Sequence, residues 1–249
     1  NNCQIIIYST LMNRINRITL SLIAFAAAAT MTTACSDPND DEPTVYTDIV
    51  SFTSQTDKGS SFTLRKEGDS PLVTLTSATR LRPQDFKTGT RIVLQYIPES
   101  GNQYESGPVR LYAAMNVQGS EVLEGTAAST DNWASHGMMI YSVNRTGEFL
   151  NIFGQGKYST KPDFKLYIDS STLDAEYPEV HMVFRDDNQL MSSNHIVYGS
   201  FDISSVWERP TCKGIHFYSS GINAGGYIPI MKADNPDIEP SDPDVDITI

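Results

Sequence analysis

The chain has 249 residues with 18 basic and 30 acidic side chains, a formal net charge of -12 that disfavours nucleic acid as a partner. Hydrophobic residues make up 39%, alongside 16 glycines and 13 prolines, which excludes collagen-like, coiled-coil and wholly disordered chains. The three cysteines, Cys3, Cys35 and Cys212, stand in unlike surroundings, which argues against a disulfide framework or a thiolate metal cluster.

Residues 1–34 read as a leader. Asn1 to Leu11 contain no initiator methionine and read as upstream sequence, which puts the start at Met12. From there Arg14 and Arg17 make a basic region, Ile18 to Ala29 an uncharged apolar run, and Thr32-Thr33-Ala34 the small residues before a cut. That is the order of a secretory signal peptide. The apolar run is 12 residues long, and a membrane-spanning helix needs ~20, so a retained transmembrane segment is the weaker reading. Cys35, directly after Ala34, resembles the lipobox cysteine of bacterial lipoproteins. The resemblance implies that Cys35 becomes the first mature residue and carries a diacylglyceryl thioether and an N-acyl chain, enough for stable anchoring to the membrane. A soluble secreted protein cut near Ala34 is the alternative. Residues 35–46 are then the lipidated cysteine and an acidic, proline-broken tether. Its acids, Asp37, Asp40, Asp41 and Glu42, look like the export signal of Bacteroidota lipoproteins bound for the outer leaflet of the outer membrane. The expected placement is a surface-exposed outer-membrane lipoprotein, with a periplasm-facing one as the alternative.

Most of the charge imbalance lies outside the expected folded part. Between Ile49 and Lys232 there are 19 acidic and 16 basic side chains, so the low isoelectric point is no evidence for an acidic cleft. The segment 234–249 holds six acids and no base. It lacks the regular ligand offsets and sharp glycine turn of a calcium loop, so disorder is expected there rather than a metal site.

Beyond the tether, apolar and polar residues alternate in short runs bounded by Gly, Pro, Asn and Ser, the period of half-buried strands. In the segment 47–125 the expected strands are Thr47 to Ser54, Ser61 to Lys66, Leu72 to Ser77, Arg91 to Ile97 and Val109 to Val117. A linker of low apolar content, Gly125 to Asn132, leads into the segment 126–233. There the strands read Met138 to Asn144, Phe149 to Phe153, Phe164 to Asp169, Val180 to Arg185, Ile196 to Ile203, Ile215 to Ser219 and Tyr227 to Met231. No run outside the leader has sustained helical periodicity. The expected fold is all-β, a small five-stranded barrel of the oligonucleotide/oligosaccharide-binding (OB) type followed by a seven-stranded β-sandwich.

With the lipobox cysteine, the acidic tether and the five-strand half come Gly147-Glu148-Phe149-Leu150-Asn151-Ile152 and Gly199-Ser200-Phe201-Asp202-Ile203-Ser204-Ser205. Together they resemble the NigD-like lipoproteins of Bacteroidota, over most of the chain from about Asp48 to Lys232. The resemblance implies an N-terminal OB domain, a C-terminal β-sandwich and a place in the cell envelope. It implies no catalytic residue.

The sequence offers no catalytic residue, no metal ligand and no cofactor site. Tyr198-Gly199-Ser200-Phe201-Asp202 lacks the second glycine and the helix of a nucleophile elbow, so Ser200 reads as a strand residue. His136, His181, His195 and His216 have no metal-binding spacing, and His181 and His216 fall on the polar faces of their strands. Gly154-Gln155-Gly156-Lys157 lacks the spacing of a phosphate loop and reads as a turn at a strand end. Asp186-Asp187-Asn188 reads as a hairpin turn, Trp133 and Trp207 as packing residues, and Cys212 as a buried or bystander thiol. Aromatics that could stack on a ligand are Tyr96, Tyr104 and Tyr112 in the first half and Tyr218 and Tyr227 in the second. Of these, Tyr96, Tyr112, Tyr218 and Tyr227 are the candidate ligand contacts. The function expected is that of a non-enzymatic envelope lipoprotein, held by its lipid anchor, that binds a protein or glycan partner. A structural or assembly subunit is the alternative, and a hydrolase with an unrecognised carboxylate site is a further one.

Overall fold

Alternating side chains become strands at every place the sequence pattern marks one. The computed structural model describes residues 43–126, 137–185, 193–219 and 226–232. The leader, Cys35, most of the tether, Trp133, His136, the turn at Asp186 and the tail from residue 234 lie outside the described residues. All of these described residues except Pro43 fall within one unit, Thr44–Ile249.

Strands β1 (Tyr46–Thr56), β2 (Gly59–Leu64), β3 (Val73–Ser77), β4 (Thr90–Pro98) and β5 (Gly107–Asn116) form a closed barrel in the order β1-β2-β3-β5-β4. The β3–β5 pair is parallel and the other ladders are antiparallel. Closure leaves no free sheet edge. Every second residue points inward, as in β3, where Val73, Leu75 and Ser77 are buried and Thr74 and Thr76 exposed. Val50, Phe52, Phe62, Leu75, Ile92 and Leu94 fill the interior. Each fully buried side chain of this size contributes ~1.5–3 kcal/mol from burial.

The second half holds β6 (Glu121–Gly125), β7 (Met138–Thr146), β8 (Phe149–Tyr158), β9 (Asp163–Asp169), β10 (Glu179–Arg185), β11 (Ser193–Asp202), a single helical turn α1 (Ser204–Trp207), β12 (Gly214–Tyr218) and β13 (Ile228–Met231). They form a five-stranded sheet in the order β13-β12-β10-β9-β6 and a three-stranded sheet in the order β11-β8-β7. Phe164, Leu166, Val180, Met182 and Phe184 of the larger sheet share one core with Leu150, Ile152, Val197 and Phe201 of the smaller. This is sandwich packing.

Two details depart from the sequence reading. Strand β6 lies before the linker, in the segment assigned to the barrel, yet it pairs in parallel with β9 at the edge of the larger sheet. Its sequence, Glu121-Val122-Leu123-Glu124-Gly125, sets two apolar residues side by side and does not alternate. The Gly154-Gln155-Gly156-Lys157 string is not a turn but the interior of β8. Both glycines are there because neighbours leave no room for a side chain. A Cβ on Gly156 would lie 2.3 Å from the Phe184 ring, and one on Gly154 would lie 2.3 Å from the Met139 carbonyl oxygen.

Barrel and sandwich are joined by backbone hydrogen bonds. The Gly68 amide in the β2–β3 loop donates to the Arg145 carbonyl (2.8 Å), and the Gly147 amide in the β7–β8 turn donates to the Gly68 carbonyl (2.7 Å). After β5, the Gln118 amide donates to the Tyr198 carbonyl (2.8 Å) and the Ser200 amide to the Gly119 carbonyl (2.9 Å). Gly199, beside this junction, leaves room for core rings, since a Cβ there would lie 2.5 Å from the Phe201 ring and 2.7 Å from that of Phe164. Gly199→Ala is therefore expected to destabilise the protein by about 1–3 kcal/mol through overpacking. Urea denaturation read by far-UV circular dichroism checks this, and an unchanged midpoint would show that the rings have room to move.

Candidate functional site

The three-stranded sheet turns one face to the sandwich core and the other toward the barrel. On that outer face β8 and β11 set Asn151 opposite Ser200, and Phe153 opposite Tyr198. The barrel covers the first pair and leaves the second open.

Arg91 of β4 makes the cover. Its Nε donates to Ser200 Oγ (2.9 Å), one terminal nitrogen to Ser51 Oγ (2.9 Å), and the other to the Ile49 carbonyl (3.2 Å) and Asn151 Oδ1 (3.3 Å). The guanidinium lies over the Phe149 ring, 4.4 Å from its centroid. Burial lowers the Arg91 pKa to about 10, opposed by the charge of Glu148, so the group remains a cation at neutral pH. Ser200 is 1% exposed, and its hydroxyl donates to Asn151 Oδ1 (2.7 Å). It serves this network and reads as a strand residue, in line with the sequence.

A second arginine fastens the other side. Arg145 of β7 is buried and grips Asp69 of the β2–β3 loop with two nitrogens, at 2.9 Å and 2.6 Å. It also donates to the Gly147 carbonyl (2.6 Å) and lies 4.4 Å from the centroid of the Trp207 ring. Trp207 is thus a packing residue, as the sequence suggested.

Between these fastenings a cleft of ≈ 250 Å³ opens. Its sandwich wall carries Phe153 and Tyr198, stacked with centroids 5.0 Å apart and planes 25° apart. Tyr141 continues the strip, its centroid 5.3 Å from that of Phe153, and is 47% exposed. The floor and rim offer Asn144, Thr146 and Asn151, and the barrel wall offers Thr47, Arg65 and Lys66. Asp48 also lines the cleft, but its carboxylate accepts from Tyr96 Oη (2.8 Å), Gln103 Nε2 (2.9 Å) and Tyr104 Oη (3.3 Å). Burial, then the negative Asp48, pushes the Tyr104 pKa up to about 12, so this hydroxyl remains a donor.

The sequence-derived contacts separate. Tyr96 is fully buried in the barrel interior and is no surface contact: it has the parity of Ile92 and Leu94 along β4, so its ring joins their core and its hydroxyl is taken by Asp48. Tyr112 is 72% exposed on the outside of β5. Tyr218 and Tyr227 come together with centroids 5.6 Å apart, on the outer face of the five-stranded sheet. There they join a stack the sequence did not foresee. His216 lies between Tyr177 (5.2 Å) and Tyr227 (3.9 Å), and His181 lies on Tyr218 (4.7 Å). The two histidines, read from sequence as solvated imidazoles, are therefore packed in aromatic rings. His195 lies against Tyr158 (4.5 Å) and shares a hydrogen bond with Ser193 Oγ (2.8 Å). Cys212 is buried, its thiol donating to the Gly214 carbonyl (3.3 Å). Phe153, Tyr198, Arg65 and Lys66 were missed as a group. The alternation of β8 and β11 puts the two rings on one face, but nothing in the sequence brings β2 across to them.

No family model matches the chain, and no curated protein does. Solved structures do. A protein of unknown function, DUF1344, from Bacteroides vulgatus matches with a TM-score of 0.55 at 16% identity, covering 80% of this chain and 97% of that one. A NigD-like immunity protein from Bacteroides caccae matches with a TM-score of 0.54 at 15% identity, covering 76% and 92%. This chain shares its fold with that NigD-like protein. A toxin-related protein from Parabacteroides distasonis matches with a TM-score of 0.51 at 14% identity. At these identities the likeness is one of fold, and it agrees with the family resemblance read from the sequence.

Two titrations follow from the geometry. The Arg145 hydrogen bonds hold the Asp69 carboxyl below its ordinary range, so its contribution is full above pH ~4 and lost as pH falls through the lowered value. Asp69 is 75% exposed, which limits that contribution to ~1 kcal/mol. Asp69→Asn should lower stability at pH 7 by about that amount and flatten the acid limb of the stability profile; an unaltered acid limb would contradict the pairing. Burial lowers the pKa of His181 and of His216, opposed in both by Glu179. The fold then favours neutral imidazoles, so their contribution is full above pH ~6.5 and declines as pH falls from there toward the lowered folded values. Replacing both by Gln should remove the slope below pH ~6.5 in urea midpoints, whereas an undiminished slope would assign it to other groups.

Proposed function

We propose that the protein is a non-enzymatic lipoprotein of the cell envelope, anchored through Cys35 to the outer membrane and facing the exterior, that binds a glycan in the cleft between barrel and sandwich. The observation that carries the binding reading is the stacked Phe153–Tyr198 wall facing the polar side chains of the barrel. A sugar ring presents an apolar C–H face and a rim of hydroxyls. An aromatic wall takes the first, and Asn144, Thr146 and Thr47 supply partners for the second. The volume is near the low end of ligand pockets, ~300 Å³, and suits one ring rather than a folded partner. The anchor reading is supported by the leader, the lipobox-like Ala34-Cys35 and the acidic tether. A protein partner is the second reading, favoured by the exposed Tyr112 and Met115 on β5.

Screening the protein on a glycan array and titrating the strongest binder by calorimetry tests the cleft. Tyr198→Ala and Phe153→Ala are each expected to weaken that binding about tenfold, ~1.4 kcal/mol, while Tyr112→Ala leaves it unchanged. Binding that survives both cleft variants would overturn the assignment. For the anchor, Cys35→Ser should move the protein from the membrane to the soluble fraction, and wild-type protein should be shaved from intact cells by added protease. Recovery of wild-type protein from the medium, free of acyl chains, would contradict it.

A further inference from the structure

The charge around the cleft is unequal. Three cations bear on it: Arg65 and Lys66 in its barrel wall, and Arg91 beneath Asn151. Asp48 is the acid that lines it, and both its oxygens accept hydrogen bonds from tyrosine hydroxyls and a glutamine amide of the barrel. The donors of Arg91 go to two hydroxyls, a backbone carbonyl and a side-chain amide, all neutral acceptors, and the carboxylate that acts on its charge, Glu148, makes no hydrogen bond to it. Arg65 is held in place through the Ser70 carbonyl and runs close to Gly147, where a Cβ would lie 3.3 Å from its Nε. Among the described residues no ion pair or hydrogen bond engages Lys66. A cleft whose walls carry more positive than negative charge favours an anion.

We propose that the cleft takes an acidic saccharide, with a sugar ring on Phe153 and Tyr198 and its carboxylate turned to Lys66 and Arg65. This rests on the glycan reading above and adds the chemical class. Lys66 provides a point charge on a flexible stem, while the tethered guanidinium of Arg65 provides a directed donor. A neutral sugar can use the aromatic wall but leaves Lys66 without a partner. An acidic sugar uses both walls.

The test takes three acidic probes, an oligogalacturonide, a glucuronate-containing oligosaccharide and a sialylated one, each beside its carboxyl-reduced neutral counterpart. Affinities for the full chain are measured by calorimetry at low and high salt. At least one acidic probe should bind about tenfold or more tightly than its neutral counterpart and weaken with salt. Lys66→Gln should cut that preference, lowering affinity for the acidic probe more than for its neutral counterpart. Lys66 is exposed, so this variant is expected to fold, and Tyr198→Ala serves as the control that weakens both forms. Equal binding of acidic and neutral probes, sensitive to Tyr198→Ala but not to Lys66→Gln, overturns the acidic class and leaves the glycan reading standing. Failure of every probe, acidic and neutral, together with an array on which nothing binds, overturns both.

Discussion

Arg91 decides how the two halves of this protein meet. A guanidinium cannot be buried cheaply, and desolvation lowers the pKa of Arg91. Ser51 and the Ile49 carbonyl of the barrel supply part of its hydrogen bonding, and Ser200 and Asn151 of the sandwich supply the rest. Neither half alone satisfies it. Truncation of Arg91 in the closed junction would leave Asn151 and Ser200 buried with fewer partners, and an unsatisfied buried polar group costs ~1–3 kcal/mol. Arg145 repeats the logic on the other side, drawing on Asp69 of the barrel and on Gly147 and Trp207 of the sandwich.

These fastenings account for the motifs that carry the family resemblance. Gly147 takes a left-handed turn (φ 60) and binds Gly68, Asn151 and Ser200 hold Arg91, Gly199 admits the rings of Phe164 and Phe201, and Asp202 accepts from the Ser204 amide (2.9 Å) to begin α1. They are structural motifs, and their work is to position the outer face of the small sheet under the barrel. The cleft forms where that cover ends, so its two walls come from different halves and its width is set by the junction.

The strand pattern was legible because alternation is local. Val73-Thr74-Leu75-Thr76-Ser77 shows its two faces without any knowledge of its neighbours. The interior place of Tyr96 was equally legible, from its parity with Ile92 and Leu94, and the polar hydroxyl obscured it. Gly156 could not be read, because its reason is a ring of Phe184 on another sheet. The candidate site was hidden for the same cause. Arg91 and Ser200 meet across 109 positions, and Arg65 reaches the side of Tyr198 only when the barrel is closed and docked. Residue types gave the menu of aromatic and basic groups, and topology chose among them.

If the junction is as integral as the buried guanidinium requires, barrel and sandwich unfold together. Differential scanning calorimetry of wild type and Arg91→Ala tests this most directly. The account predicts one transition in wild type, with calorimetric and van't Hoff enthalpies equal, and a lower melting temperature with separation into two transitions in the variant. Two transitions already present in wild type, or a variant that melts as wild type does, would contradict it.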